Sequence, residues 1–118
     1  MKDYVFIVRH KGLTPEMLAT VTPRWRAIMP RWVEQGHFVG SSLLLNEGHL
    51  ISGAERIITT APAITAESQQ IVLSIIRIQA EDFEQAMQLA LESPTLDTGG
   101  SIEVREVRPA PSANPIQS

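Results

Sequence analysis

The sequence contains no cysteine among its 118 residues. Disulfide bonds, thiolate metal ligands and cysteine nucleophiles are therefore excluded together. No apolar run approaches the ~20 residues that a helix needs to cross a bilayer, and the first residues lead directly into a strand-like segment instead of a signal peptide. From these absences we expect no membrane partner and a cytoplasmic location.

Basic charge is also scarce, because the sequence has 10 Lys and Arg residues and 13 Asp and Glu residues. Nucleic acids bind concentrated Lys and Arg, so a chain with a net charge of −3 is not expected to bind them. Phosphate loops, glycine-rich dinucleotide turns, zinc-ligand spacings and nucleophile elbows are missing too. The sequence therefore predicts no cofactor and no metal site.

The most apolar segment spans residues 71–78 and is rich in β-branched side chains. Alternate side chains of a strand point to opposite sides, so this segment has two apolar faces, and both need covering. The expected faces are Ile71, Leu73 and Ile75 on one side and Val72, Ile76 and Ile78 on the other. Residues 4–10 alternate similarly, and one face is expected to carry Tyr4, Phe6, Val8 and His10.

Two helices are predicted to cover one side of the sheet. The first begins with Thr14 as its N-cap and Pro15 as its first helical residue, and it ends at Gly36. Its apolar stripe consists of Leu18, Val21, Trp25, Ile28, Met29 and Trp32. Pro23 and Pro30 lie opposite that stripe, and they predict either one kinked helix or two short helices.

The second helix is predicted over residues 83–92, with Asp82 as its N-cap and Pro94 after its end. Its expected buried stripe consists of Phe83, Ala86, Met87, Ala90 and Leu91.

Further strands are predicted over residues 38–45 and around Ile102, Val104 and Val107, with turns at 46–49 and 97–100. Residues 50–69 are expected to form a β excursion that includes a short strand near residues 55–60.

This order of elements predicts an α+β protein: a ferredoxin-like β-α-β-β-α-β sandwich with a β excursion, whose helices cover one face of the sheet. The other face would be apolar and exposed, which favours association. We therefore expect a homodimer in which two sheets pack together as a dimeric α/β barrel. Residues 1–108 would form one domain, and the proline-rich residues 109–118 a mobile tail.

Three segments in the last third of the chain form a recognisable pattern. They are Asp82-Phe83-Glu84-Gln85-Ala86-Met87, Ser93-Pro94 and Gly99-Gly100-Ser101-Ile102-Glu103-Val104-Arg105. This acidic helix start, proline-terminated helix and Glu-Val-Arg strand resemble the end of a YCII-related (DGPF-domain) protein. The resemblance is specific over residues 82–105, and the order and lengths of the elements match over 1–108. It implies a dimeric α/β barrel and supplies no defined substrate.

Two departures from the family pattern matter for function. Where the family has its Asp-Gly-Pro-Phe signature, this chain has Ala61-Pro62-Ala63-Ile64-Thr65, and Glu67 matches the acidic residue that follows the signature. The first helix of the enzyme-like members carries a histidine proposed to pair with an aspartate, and alignment places Trp25 there. The resemblance therefore implies no catalytic pair in this chain.

His10 is the candidate catalytic residue, because it ends the first strand beside an expected pocket and histidine moves protons near neutral pH. The alternative is a structural histidine that hydrogen-bonds a neighbour. His37 follows a helix C-terminus, where a cation is favoured, and is interpreted as structural. His49 is expected in a turn, exposed to solvent.

The candidate ligand-binding residues are Arg9, Arg77 and Arg105. A guanidinium group binds carboxylates in a fork geometry, so a small acidic metabolite is the expected ligand. The alternative is an ion pair with Glu103 across strands or subunits.

Two further features have two interpretations each. The small residues Gly40-Ser41-Ser42 leave space for a ligand beside the sheet, or they let the helix approach. Trp25 and Trp32, seven residues apart, pack the helix on the sheet or form an aromatic ligand cage.

Three functions remain open from the sequence. The first is a small-molecule-binding or regulatory dimeric barrel that lacks the family's proposed catalytic pair. The second is a cofactor-free enzyme, such as an isomerase, lyase or oxygenase, with His10 as its acid or base. The third is a structural or interaction subunit whose dimer surface is its function. We favour the first, because the scaffold is recognisable and the pair is missing.

Overall fold

A computed structural model describes residues 1–45, 47–61 and 70–108. The elements in chain order are β1 (Lys2–His10), α1 (Pro15–Glu34), β2 (Phe38–Leu43), β3 (Gly48–Ser52), β4 (Ile57–Ala61), β5 (Ile71–Ala80), α2 (Phe83–Leu91), a 3-10 helix (Pro94–Thr98) and β6 (Ser101–Glu106). The predictions for residues 62–69, including Pro62 and Glu67, and for the tail at 109–118 lie outside the described residues.

Four strands form one antiparallel sheet in the order β2-β5-β1-β6, while β3 and β4 pair separately. The architecture of the described residues is therefore α+β, with two α-helices and an antiparallel sheet. This arrangement is compatible with the predicted ferredoxin-like sandwich. Within the described ranges, no helix combines the length and apolarity needed to span a membrane.

The ends of α1 follow local chemistry, as predicted. The Thr14 hydroxyl accepts a hydrogen bond from the Met17 amide at 3.2 Å, which satisfies one of the free N–H groups of the first turn. At the other end Gly36 adopts a φ of +79°, and the His37 amide donates to the Trp32 carbonyl at 2.8 Å. This is a Schellman motif, which only a left-handed residue permits and which directs the chain into β2.

A single helix runs across both internal prolines, so the alternative of two short helices is wrong. Pro23 and Pro30 both have exposed side chains. Each proline lacks the N–H group that would bond within the helix, and this loss falls on the solvent side of α1. The buried side of the helix keeps its packing.

The core lies between the helices and one face of the sheet. The side chains of β1 predicted to share a face, Tyr4, Phe6, Val8 and His10, are all buried on this side. Trp32 of α1 is fully buried, and its ring meets the Phe6 ring edge-on with centroids 6.2 Å apart. Aromatic pairs of this geometry stabilise a core beyond the area they bury.

A β-bulge in β5 changes the expected faces of that strand. The pairing of β5 with β1 shifts by one residue, and Leu73 is the extra residue. Beyond the bulge Ile71 is buried on the helix side, while Val72 pairs with Arg9 on the opposite side. The predicted faces of Ile71 and Val72 are therefore wrong, because the extra residue Leu73 puts the two residues before it out of alternation with those after it.

The second helix begins as predicted, since the Asp82 carboxylate accepts a hydrogen bond from the Gln85 amide at 2.9 Å. Its predicted stripe is only partly correct. The helix packs on the sheet through Ala86, Leu89 and Ala90, whereas three predicted members are exposed, namely Phe83, Met87 and Leu91. Small residues let the helix approach the sheet closely, and they set its rotation.

The segments after α2 and after β2 differ from the predictions in their boundaries. A 3-10 helix spans Pro94–Thr98 and overlaps the turn predicted at 97–100, and Val107 lies beyond the end of β6. The strand β2 ends at Leu43, two residues early.

The predicted β excursion is present as a hairpin of β3 and β4, which we call the hairpin arm (residues 48–61). His49 lies in β3, so its predicted placement in a turn is wrong. Every residue from 48 to 60 is exposed, and four large apolar side chains are between 45% and 65% exposed, namely Leu50, Ile51, Ile57 and Ile58. Paired residues lie on the same side of a hairpin, and each side of the arm carries apolar residues.

Candidate functional site

A cleft of about 320 Å³ opens between α1 and the helix-facing side of the sheet, next to the edge strand β2. Its floor comes from the two adjacent strands β2 and β5 and from Val8 of β1. Its roof is the apolar stripe of α1, and Leu43 and Leu18 stand exposed at its rim. We call this space the α1 cleft.

Hydroxyl groups interrupt the apolar floor of the α1 cleft. Ser74 of β5 is only 8% exposed, and its hydroxyl makes no hydrogen bond within the described part of the chain. Ser41 of β2 lies diagonally from it, since Leu43 pairs with Ser74 and Ser41 pairs with Ile76. Of the small run predicted to leave space for a ligand, Ser41 therefore lines the cleft.

The roof of the cleft is built around Trp25. The Trp25 indole donates a hydrogen bond to the Thr95 hydroxyl at 3.2 Å, and its ring lies edge-on to Trp32 with centroids 5.8 Å apart. These contacts fix the ring, so that it forms a rigid wall of the cleft. Trp25 thus packs α1 on the core and also borders the cleft, while Trp32 belongs to the core alone.

None of the described residues that line the α1 cleft carries a charge. The hydroxyls come from Thr22, Ser41, Ser74 and Thr95, and the remaining lining residues are apolar. Such a lining binds small molecules mainly by burying apolar surface, with a few polar groups that fix orientation.

His10 lies at the end of β1 and is only 3% exposed. Its Nδ1 accepts a hydrogen bond from the Gly12 amide, and its Nε2 donates to the Thr98 carbonyl, both at 2.9 Å. These bonds assign the Nε2–H tautomer. The residue does not border the α1 cleft, and its hydrogen bonds tie the end of β1 to the 3-10 helix. Its catalytic role stays a prediction.

The other two histidines occupy different surroundings. His37 donates from Nδ1 to the Gln79 carbonyl at 2.8 Å, and the Gln79 amide donates back to the His37 carbonyl. This pair of bonds joins the end of α1 to β5, in keeping with a structural role. His49 is exposed on the hairpin arm.

The three candidate arginines lie on the side of the sheet opposite the helices, which we call the open face. The residues that define it are Val5, Ile7 and Arg9 of β1, Gly40 and Ser42 of β2, Val72, Ile75 and Arg77 of β5, and Ser101, Glu103 and Arg105 of β6. None of the three arginines borders the α1 cleft. The structure therefore separates the predicted anion-binding side chains from the cleft.

Glu103 links two of these arginines. Its carboxylate accepts hydrogen bonds from Arg105 at 2.9 Å and from Arg9 at 2.6 Å. These bonds, first that of Arg105 and then that of Arg9, hold the pKa of the Glu103 carboxyl below its usual value of 4.5. Arg77, by contrast, makes no ion pair with the described residues. The Arg9–Glu103 bond is the predicted cross-strand ion pair, whereas Arg105 and Glu103 lie on the same strand, β6.

The open face has an apolar centre. Val5, Ile7 and Ile75 lie side by side on it and are half-buried in the isolated chain, although no helix of the described residues covers them. Asp3 and Arg77 border a shallow depression of about 410 Å³ at one end. An apolar centre with a charged margin is the usual composition of a protein interface.

Within the described ranges, no group of three His, Asp or Glu side chains is placed to hold a metal ion. No protein-family model matches the sequence, and no curated protein matches it either. The resemblance to YCII-related proteins therefore depends on the segments within residues 82–105 and on the order of the elements.

Proposed function

We propose that the protein is a YCII-related small-molecule-binding or regulatory protein that acts as a homodimer. The α1 cleft carries this proposal. Its volume of about 320 Å³ falls within the range of ligand pockets, roughly 300–1,000 Å³, and it combines apolar walls with a few hydroxyls as such pockets do. A cytoplasmic location is part of the same proposal.

The open face supports the dimer. Packing two copies face to face would cover Val5, Ile7 and Ile75 and would give the dimeric α/β barrel that the resemblance implies. Burial of apolar surface drives such association. The ion pairs of Glu103 lie beside this apolar centre, where they would contribute to the polar margin of the interface.

The enzyme hypothesis receives less support from the site. A general base must reach its substrate with a free nitrogen, but both ring nitrogens of His10 are bonded to the main chain. Trp25 occupies the helix position at which the resemblance would place a histidine. Binding without turnover is therefore the function that the cleft favours.

The hypothesis of a structural subunit and the expected acidic ligand both differ from this proposal. A purely structural subunit would need no pocket, whereas the α1 cleft holds far more than a few water molecules and is lined by four residues that carry hydroxyls. A small acidic ligand stays a prediction that concerns the open face, where Arg9 and Arg105 are both bound to Glu103.

Sedimentation equilibrium tests the dimer. We expect a mass of twice the 13.0 kDa chain at micromolar concentration. The substitution Ile7→Glu places a charge at the centre of the open face and should give the monomer. Leu91→Glu makes the same kind of change on the exposed side of α2 and should remain dimeric. A monomeric wild-type protein would refute the dimer.

A fragment screen followed by NMR tests the ligand site. The chain has only two tryptophans, so its two indole N–H signals can be assigned with Trp25→Phe. Bound fragments should shift the Trp25 signal in a saturable way and leave the signal of the buried Trp32 nearly in place. If no fragment of a few hundred does so at millimolar concentration, the cleft is not a binding site and the proposal fails.

A further inference from the structure

The lining of the α1 cleft restricts the charge of its ligand. An ionised group that leaves water for apolar surroundings needs a partner of opposite charge, and without one the transfer is strongly unfavourable. The described lining offers no Asp, Glu, Lys, Arg or His side chain. A carboxylate, phosphate or ammonium compound would therefore lose its hydration inside the cleft without compensation.

The hydroxyl of Ser74 provides a hydrogen-bonding group for a ligand in the cleft. The residue is more than nine-tenths buried and borders the cleft, and its hydroxyl makes no hydrogen bond within the described chain. Because this hydroxyl is not among the fully enclosed polar atoms that lack a partner, it is open to the cleft, where a ligand can reach it. Ser74 pairs with Val8 next to the bulge at Leu73, so the backbone of β5 fixes its position. A ligand oxygen above the floor would complete its hydrogen bonding.

The volume of the cleft sets the size of the ligand. An apolar protein cavity of about 150 Å³ holds one benzene molecule. The α1 cleft, at about 320 Å³, is roughly twice as large. It therefore fits about two fused six-membered rings, or an aliphatic group of the same bulk.

From charge, hydroxyl and volume together, we infer that the α1 cleft binds a neutral, mainly apolar molecule of about two fused rings whose single hydroxyl or carbonyl oxygen hydrogen-bonds Ser74. The inference rests on the proposed function, because it names the ligand class of the same cleft. It also differs from the acidic ligand expected from the arginines, which lie on the open face.

Two probes with the same naphthalene ring separate the neutral from the charged class. The first is 2-naphthol, which is neutral at pH 7, and the second is 2-naphthoate, which is ionised. Both are titrated into the full-length protein while the Trp25 indole signal is followed by NMR. We expect 2-naphthol to bind at least tenfold more tightly than 2-naphthoate.

The hydrogen bond to Ser74 is tested with a matched pair of variants. Ser74→Ala should weaken 2-naphthol binding about three- to tenfold, the range expected for one hydrogen bond between neutral groups. Ser42→Ala removes the same hydroxyl from the open face of the neighbouring strand and should leave the affinity unchanged. A dispersed amide spectrum of each variant confirms that it folds.

The possible failures are distinct. Equal or tighter binding of 2-naphthoate at Trp25 would overturn the neutral ligand class while the proposed binding function stands. Equal affinities for Ser74→Ala and Ser42→Ala would overturn the role of Ser74. If neither probe shifts Trp25 although fragments of the screen do, the inferred size and class are wrong. If neither the probes nor the fragments shift it, the proposed function fails as well.

Discussion

Replacing Gly100 by alanine tests how closely the turn after the 3-10 helix packs against β1. A methyl group on Gly100 would lie 2.6 Å from Cγ2 of Thr95 and 2.9 Å from the main-chain oxygen of Arg9. It would also lie 3.0 Å from the oxygen of Thr95. Two of the three contacts are with backbone, and Arg9 is held in the sheet by its pairing with β6. Rotation of a side chain therefore cannot relieve the overlap.

The expected loss of stability follows from this geometry. Overpacking a well-filled site costs about 1–3 kcal/mol, and because backbone must move we expect about 2 kcal/mol for Gly100→Ala. For a chain of this length that corresponds to a decrease in Tm of roughly 8 °C. Urea unfolding followed by tryptophan fluorescence at one fixed protein concentration measures the change directly.

Two further variants separate the overlap from a general effect of alanine. Gly40→Ala meets no atom within 4 Å and should change stability by less than about 1 kcal/mol. Thr95→Ser removes the nearest methyl group, so in a double-mutant cycle it should recover part of the loss caused by Gly100→Ala. A Gly100→Ala protein as stable as the wild type would refute the close packing.

Three other substitutions give expected outcomes in the same assay. Thr14→Ala removes the N-cap acceptor of the Met17 amide and should cost about 0.5–2 kcal/mol; an unchanged urea midpoint would contradict the cap. Trp32→Ala empties a fully buried site and should lower the free energy of unfolding by about 3–5 kcal/mol. A loss under 1 kcal/mol would contradict the burial of this side chain. The pKa of Glu103 is lowered in the folded protein by Arg105 and Arg9. The ionised carboxylate therefore stabilises the fold above the ordinary carboxyl pKa, and this stabilisation disappears as the pH falls through the lowered value. Wild type should therefore exceed Glu103→Gln in stability near pH 6–7, and the difference should vanish in acid; a difference that grows in acid would reverse the sign of this argument.

Features set by near neighbours in the chain could be predicted from the sequence. Thr14 and Asp82 act as N-caps and Gly36 ends α1 as expected, because each role depends on a few adjacent backbone groups. The faces of β1 also followed from simple alternation. These signals were sufficient to establish the order of the helices and main strands.

Features set by distant packing could not be predicted in this way. The bulge at Leu73 inserts one residue without any change in composition, so alternation assigned the wrong face to Ile71. The hydrophobic pattern does not predict the rotation of α2, because Ala86 and Ala90 decide its approach to the sheet while the larger Phe83 and Leu91 dominate that pattern.

The candidate site shows the same limit. The α1 cleft is assembled from α1, β1, β2, β5 and the 3-10 helix, and no local pattern joins these segments. Ser41 belongs to a run of small residues and Trp25 to the apolar stripe of α1, and both features are visible in the sequence. The sequence gives one indication of Ser74, a hydroxyl in the middle of the most apolar strand. Simple alternation does not show that this hydroxyl borders a cleft.

The hairpin arm has a consequence for the rates at which amide protons exchange with solvent. A two-stranded ribbon without further packing is marginally stable, so its hydrogen bonds open often and its amides exchange quickly. The amides of β5, which has a strand on each side, should exchange far more slowly. A surface that packed on the arm would keep these hydrogen bonds closed, so slow exchange in β3 would show that the arm is covered.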